Sequence, residues 1–111
     1  MSTANKKPSR TYKLRTPYQE SAIYFTVVGT PIDAMFINCK EMESFQWISA
    51  LMASYSLLVK NGVAPEKIAG YMCEVFDPNG QYVIEGTTTK VNGVVHHLGL
   101  ILRQHVRDAR A

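Results

Sequence analysis

Apolar and polar side chains alternate along three short stretches in the first part of the chain, at residues 11–16, 22–28 and 34–39. A period of two residues places successive side chains on opposite faces of an extended segment, so each stretch is predicted to form a β-strand. Gly29 and Pro31 are typical turn residues and separate the second strand from the third by a short connection. Because short connections favour pairing between consecutive strands, the sequence predicts a three-stranded antiparallel sheet.

The apolar spacing changes to three and four residues after this sheet. Apolar residues recur at that spacing over residues 45–59, which predicts a helix with a wide apolar side. Gly62 stands where a helix would end in a left-handed residue, and Pro65 fits the first turn of a second helix. The helical period returns over residues 94–106, and basic residues gather near the end of the chain, where a helix dipole favours them.

These elements predict an α+β fold, in which about three helices pack on one face of the sheet. Residues 1–9 are small, polar and basic, and we expect them to form a flexible basic arm ahead of a single domain over residues 10–111. The segment at residues 81–93 is open to two interpretations, because Tyr82, Val83 and Ile84 fit a short strand whereas the threonines that follow are typical of a loop.

The alternation gives the predicted sheet two different faces. One face is fully apolar, and burying each large side chain contributes roughly 1.5–3 kcal/mol, so we expect the helices to cover that face. Its residues are Tyr12, Leu14, Ile23, Phe25, Val27, Met35 and Ile37. The opposite face carries cations and aromatic rings, namely Lys13, Arg15, Tyr24, Thr26 and Phe36.

Positive charge is concentrated at the start of the chain. The formal net charge is +3, but residues 1–19 hold five basic side chains and no acidic one, while residues 20–111 hold seven basic and nine acidic side chains. A basic segment next to a mildly acidic body offers a polyanion a local target. The alternative is a solvated terminus with no binding role.

Cations and rings on one open sheet face predict a surface for single-stranded nucleic acid, with single-stranded DNA favoured. Bases stack on aromatic rings and phosphates pair with Lys and Arg. The predicted phosphate contacts are Lys6, Lys7, Arg10, Lys13 and Arg15. The predicted stacking residues are Tyr24 and Phe36, with Tyr12 and Tyr18 as further candidates.

Two other interpretations of that face stay open. A second copy of the chain could cover it, since exposed aromatic residues also mark interfaces between proteins. The last helix could instead cross the face and bury it. Residues 94–106 are also a candidate site for homo-oligomer formation, and Trp47 is expected either to pack under the sheet edge or to lie at an interface.

No pattern of catalytic or metal-binding residues stands out. Cys39 and Cys73 belong to no CxxC pair and fit a reducing compartment, so the cytoplasm is the expected location, or the host cytoplasm for a viral protein. The histidines at 96, 97 and 105 all fall in the last predicted helix without a suitable set of acidic ligands. The sequence therefore predicts a protein that is not an enzyme, with no cofactor, no metal and no membrane span.

Four motifs resemble, in the same order, the small C-terminal region of adenosylcobalamin-dependent ribonucleotide reductases. They are TYKLRTP, AIYFTV, FINCKEMESFQWISAL and VFDPNGQY, and the likeness covers roughly residues 10–105. The catalytic barrel and the cobalamin site of that family have no counterpart in this chain, so the resemblance implies the order of elements and an appended module, with no catalytic residue.

The sequence thus predicts a stand-alone binding module that serves replication or transcription as a phage or bacterial accessory factor, with a polymerase as a candidate partner protein. The alternatives are an accessory subunit that docks onto a ribonucleotide reductase, and a homo-oligomeric module for protein interaction.

Overall fold

The computed structural model describes residues 8–40 and 42–110. Two sheets and three helices make up this part of the chain. The strands are β1 (Ser9–Leu14), β2 (Ile23–Val28), β3 (Ala34–Cys39), β4 (Tyr82–Val83) and β5 (Lys90–Val91), and the helices are α1 (Met42–Lys60), α2 (Pro65–Cys73) and α3 (Val94–Arg110). The predicted α+β class is confirmed.

The first sheet is an antiparallel meander in the order β1-β2-β3, as the alternation predicts. Gly29 closes the turn between β2 and β3 with a φ of 95°, in the left-handed region that favours glycine. A Cβ there would lie 2.7 Å from the carbonyl oxygen of Pro31. The Gly29 amide also donates to the carbonyl of Pro8 at 2.7 Å, which fastens the start of β1 to this turn.

The apolar face of the sheet forms the core together with the helices. Leu14, Ile23, Phe25, Val27, Met35 and Ile37 are all buried, whereas the alternating positions between them point away from the helices. Helix α3 packs against α2 at Gly99, where an added Cβ would lie 2.8 Å from the Cβ of Met72. The helices thus leave the cationic and aromatic face of the sheet uncovered, so the last helix does not cross it.

Helix α1 runs along the outer edge of β3. The main-chain amide of Met35 donates to the hydroxyl of Ser56 at 2.8 Å, and this hydroxyl lies 2.8 Å from the carbonyl of Met52. An edge strand normally leaves such groups exposed to other chains. The hydroxyl of Ser56 therefore takes up one of the main-chain hydrogen-bonding positions on the outer edge of β3.

Several details differ from the sequence predictions. The segment at residues 81–93, for which the sequence allows a strand or a loop, contains a short hairpin of β4 and β5. The apolar side of α3 is buried in the core. It is therefore not available for the homo-oligomer contact that the sequence predicts at residues 94–106. Trp47 is 55% exposed, so it does not pack under the sheet edge.

Within the described part of the chain, none of the helices is long and apolar enough to cross a bilayer.

Candidate nucleic-acid interface

The strand register arranges the uncovered side of the sheet in rows that run across the strands. Lys13 lies opposite Tyr24, and Tyr24 lies opposite Asn38. The next row consists of Thr11, Thr26 and Phe36. We call this surface the open face; its residues are Thr11, Lys13, Tyr24, Thr26, Phe36 and Asn38, with Arg15 and Lys40 directly after the ends of β1 and β3.

Two aromatic rings stand on the open face on neighbouring strands. Tyr24 is 42% exposed and Phe36 is 56% exposed. They occupy diagonal positions, since Phe36 is two residues before the direct partner of Tyr24, and such positions lie about 7–8 Å apart. The hydroxyls of Thr11 and Thr26 bond to each other at 2.9 Å, so the rest of the Phe36 row is made of small side chains. The two rings therefore lie on the same face in neighbouring rows of the sheet.

Three cations lie around Tyr24. Arg15 and Lys40 line a depression of about 550 Å³ together with Tyr24 and Asn38, and Lys13 lies beside Tyr24 in the same row. The guanidinium of Arg15 donates to the main-chain carbonyl of Glu20 at 3.0 Å, which fixes the arginine next to the depression. Lys13 and Arg15 also line a second depression, of about 330 Å³, together with Glu85 of the segment after β4.

Glu20 is the acidic residue that lines the first of these depressions, and its exposed carboxylate opposes the binding of phosphates. Replacing it by glutamine keeps the size of the side chain and removes the charge. We expect Glu20→Gln to tighten binding of an anionic strand by about threefold at low salt, since exposed charge interactions are worth up to about 1 kcal/mol. A titration that compares Glu20→Gln with Glu74→Gln, an exposed glutamate after α2, measures this effect. Equal affinities of the two variants would show that no anion approaches the depression.

Arg10 and Tyr12 are not brought together with the other predicted residues. Both have the strand phase of the buried Leu14, so they lie on the side of the sheet that faces the helices. The Arg10 guanidinium lies 4.9 Å from the centre of the Tyr12 ring, and the Tyr12 hydroxyl is 2.7 Å from Nδ1 of His105 in α3. Burial, with Arg10 as a smaller cause, lowers the pKa of His105. These contacts give Tyr12 a role in attaching α3 to β1.

Tyr18 also lies apart from the open face. Its hydroxyl donates to the main-chain carbonyl of Gln81, and its ring meets the edge of the Tyr82 ring at a centroid distance of 6.2 Å. Tyr18 therefore connects the loop after β1 to the β4 hairpin. The predicted phosphate contacts Lys6 and Lys7 lie outside the described residues.

The sequence prediction missed Asn38 and Lys40. Both continue the alternation of Phe36 along β3, so the period-two pattern that selected Phe36 also places them on the open face. Lys40 supplies a cation on the far side of Tyr24 from Lys13.

Two titratable groups away from the open face, His97 and Cys73, have partners within the fold. The hydroxyl of the buried Tyr82 lies 2.6 Å from Nδ1 of His97, and burial lowers the pKa of His97 to about 4. Burial raises the pKa of Cys73, against the smaller opposing effect of Arg103. Across residues 8–40 and 42–110, no three His, Cys, Asp or Glu side chains are grouped as a metal site would require.

The chain matches no protein-family model, no curated protein and no solved structure. The resemblance to the reductase region stays a prediction drawn from the four sequence motifs.

Proposed function

We propose that this protein binds single-stranded nucleic acid on the open face, without catalysis, and serves replication or transcription as a phage or bacterial accessory factor. The observation that supports the proposal is that Lys13, Arg15 and Lys40 lie around the exposed ring of Tyr24, with the exposed Phe36 in the next row of the same sheet face. Rings take unstacked bases, and the flanking cations take the phosphates that connect them.

The shape of the surface favours a single strand over a duplex. A duplex keeps its bases stacked inside, so the rings of Tyr24 and Phe36 would have no base to contact. A single strand exposes its bases to such rings, and each stack contributes about 1–3 kcal/mol. Because the cations contact phosphates and the rings accept any base, binding should depend little on sequence.

The number of phosphate contacts sets the expected salt dependence. Lys13, Arg15 and Lys40 predict a slope of about −2 for the logarithm of affinity against the logarithm of salt concentration on a single strand. If Lys6 and Lys7 add their contacts, the slope becomes about −3.5.

Removing the ring of Tyr24 tests the proposal. We expect Tyr24→Ala to weaken binding of a fluorescent single-stranded oligonucleotide by about tenfold, since one stack is lost. The salt slope should stay unchanged, because no cation is removed. The measurement is a titration with single-stranded DNA, single-stranded RNA and duplex DNA at two salt concentrations. Tyr71→Ala is the matched control, because Tyr71 is also an exposed tyrosine and lies on α2, away from the open face.

Wild-type protein that shows no affinity for either single strand would overturn the proposal. Equal affinities of the Tyr24→Ala and Tyr71→Ala variants would remove the stacking role from the open face. Unfolding curves of both variants show whether each retains the wild-type stability, which we expect because both side chains are exposed.

One observation favours a second candidate, docking onto a separate reductase chain. Trp47 belongs to the sharpest of the reductase-like motifs, and it is exposed on α1. Tryptophan is enriched at the centres of protein interfaces. Co-purification with a ribonucleotide reductase that is lost in Trp47→Ala, together with no affinity for single strands, would support this candidate.

A further inference from the structure

An apolar groove lies between the outer edge of β3 and helix α1, next to the open face. Its volume of about 460 Å³ is in the range of roughly 300–1,000 Å³ that small-molecule sites occupy. The side chains of the groove are mainly small or apolar. They come from Ala34, Phe36, Ser49, Ala53, Leu57 and Lys60.

The groove exists because α1 meets β3 closely at one position and then presents small side chains. Ser56 contacts the main chain of Met35, which holds the helix against the strand. About one and two helical turns before Ser56, the small side chains of Ala53 and Ser49 line the groove. The helix and the strand edge therefore form the two walls of the groove.

The strand wall offers a main-chain hydrogen-bond donor and acceptor. In an antiparallel pair, main-chain groups point alternately toward the partner strand and away from it. The main-chain groups of Met35 point away from β2, since its amide bonds to Ser56. Ile37 is two residues further along β3 and has the same phase. By the same alternation, the amide and the carbonyl of Ile37 point away from β2, and Ile37 is among the residues that line the groove. Such an adjacent donor and acceptor can pair with the edge of a nucleobase.

Phe36 connects the groove to the open face. Its ring stands on the open face beside Tyr24, and it also lines the groove. Lys60 lines the same groove from the last turn of α1 and places a cation there. The same strand of nucleic acid can thus pass across the rings and leave a base in the groove with its phosphate near a lysine.

We propose that this groove binds one nucleobase of the bound strand, stacked against Phe36, paired with the main chain of Ile37 and with its phosphate on Lys60. The inference rests on the proposed function, because it assigns a specific site to one nucleotide of the same ligand. A base is favoured over an apolar peptide side chain because the groove combines an aromatic wall, a main-chain donor and acceptor, and a cation.

The groove can be closed without disturbing the core. Ala53 is exposed, so Ala53→Leu fills the space with an uncharged side chain, and Ala50→Leu places the same side chain on α1 outside the groove. We expect Ala53→Leu to weaken binding of an oligothymidylate of about eight nucleotides by about tenfold, because one base loses its stack. Ala50→Leu should bind as the wild type does.

Amide spectra of the ¹⁵N-labelled protein test the contacts directly. Titration with each of the four deoxynucleoside monophosphates should move the Ile37 amide proton downfield in the wild type and in Ala50→Leu, and leave it in place in Ala53→Leu. Inorganic phosphate alone should leave the Ile37 amide unchanged in all three proteins.

The outcomes separate this inference from the proposed function. One outcome overturns the groove assignment and leaves the proposed binding at the open face intact. In that outcome Tyr24→Ala weakens oligonucleotide binding, Ala53→Leu binds normally, and the Ile37 amide does not move. If no single strand binds at all, the proposed function fails. A shift of the Ile37 amide with inorganic phosphate alone would also overturn the base assignment.

Discussion

The triple variant Lys13→Gln, Arg15→Gln, Lys40→Gln should bind a single-stranded oligonucleotide about 50-fold more weakly than the wild type at about 0.15 M salt. Each lost phosphate contact removes about 0.7 from the magnitude of the salt slope, so the slope should fall in magnitude by about 2. The physical reason is that these cations lie around the ring of Tyr24, where the phosphates next to a stacked base would pass. Titrations at several salt concentrations give both the affinity and the slope.

A second triple variant with the same change in net charge serves as the control. Lys67, Lys90 and Arg107 are exposed and lie on α2, β5 and α3, outside the three strands that carry the open face. Their replacement by glutamine should lower the affinity by no more than a few-fold, through the general field of the protein. Equal losses in the two triple variants would show that net charge, and no defined surface, governs binding.

The stability of the protein should fall as the pH is lowered from about 6.5 to about 4, and His97 should cause a large part of the fall. Burial, with His96 as a smaller cause, lowers the pKa of His97 in the native state to about 4, while the unfolded chain has a pKa of about 6.5. Between these values the unfolded state binds a proton that the native state excludes, so lower pH favours unfolding. The full effect is a loss of up to about 3 kcal/mol, which is absent above about pH 6.5.

Denaturant unfolding at a series of pH values measures this effect. His97→Gln removes the titrating imidazole and keeps an acceptor for the Tyr82 hydroxyl. Between pH 6.5 and pH 5, the free energy of unfolding of this variant should therefore change much less than that of the wild type. In that range the protonation of carboxylates contributes little. His96→Gln removes the neighbouring histidine, retains His97, and should keep the fall. His105, whose pKa is also lowered, accounts for part of the remaining slope in His97→Gln. A His97→Gln variant with the full wild-type slope would contradict this account.

The faces of the sheet could be predicted from the sequence because strand side chains alternate strictly. The phase of Phe25 and Ile37 fixes the buried face, and the positions between them must then point outward. The same rule places Arg10 and Tyr12 with Leu14, on the side of the helices. Charge alone groups Arg10 with Lys13, whereas the strand phase places them on opposite faces of the sheet.

Contacts between distant parts of the chain could not be predicted in this way. Tyr18 bonds to Gln81 across 63 residues, and no local pattern in either segment indicates that contact. The groove beside Ile37 depends on which turn of α1 faces β3, and the helical period gives the buried side of α1 without giving its position along the strand. Trp47 lies off the apolar side of α1, and its exposure follows from the absence of a neighbouring element over it within the described residues.

The central claim is that the open face contacts a single strand, and the most direct test is an amide spectrum of the ¹⁵N-labelled wild-type protein recorded with and without a short single-stranded DNA. The account predicts that the amides that shift most are grouped on β1, β2 and β3 around Lys13, Tyr24, Phe36 and Lys40. An unchanged spectrum, or shifts confined to the outer surfaces of α2 and α3, would contradict it.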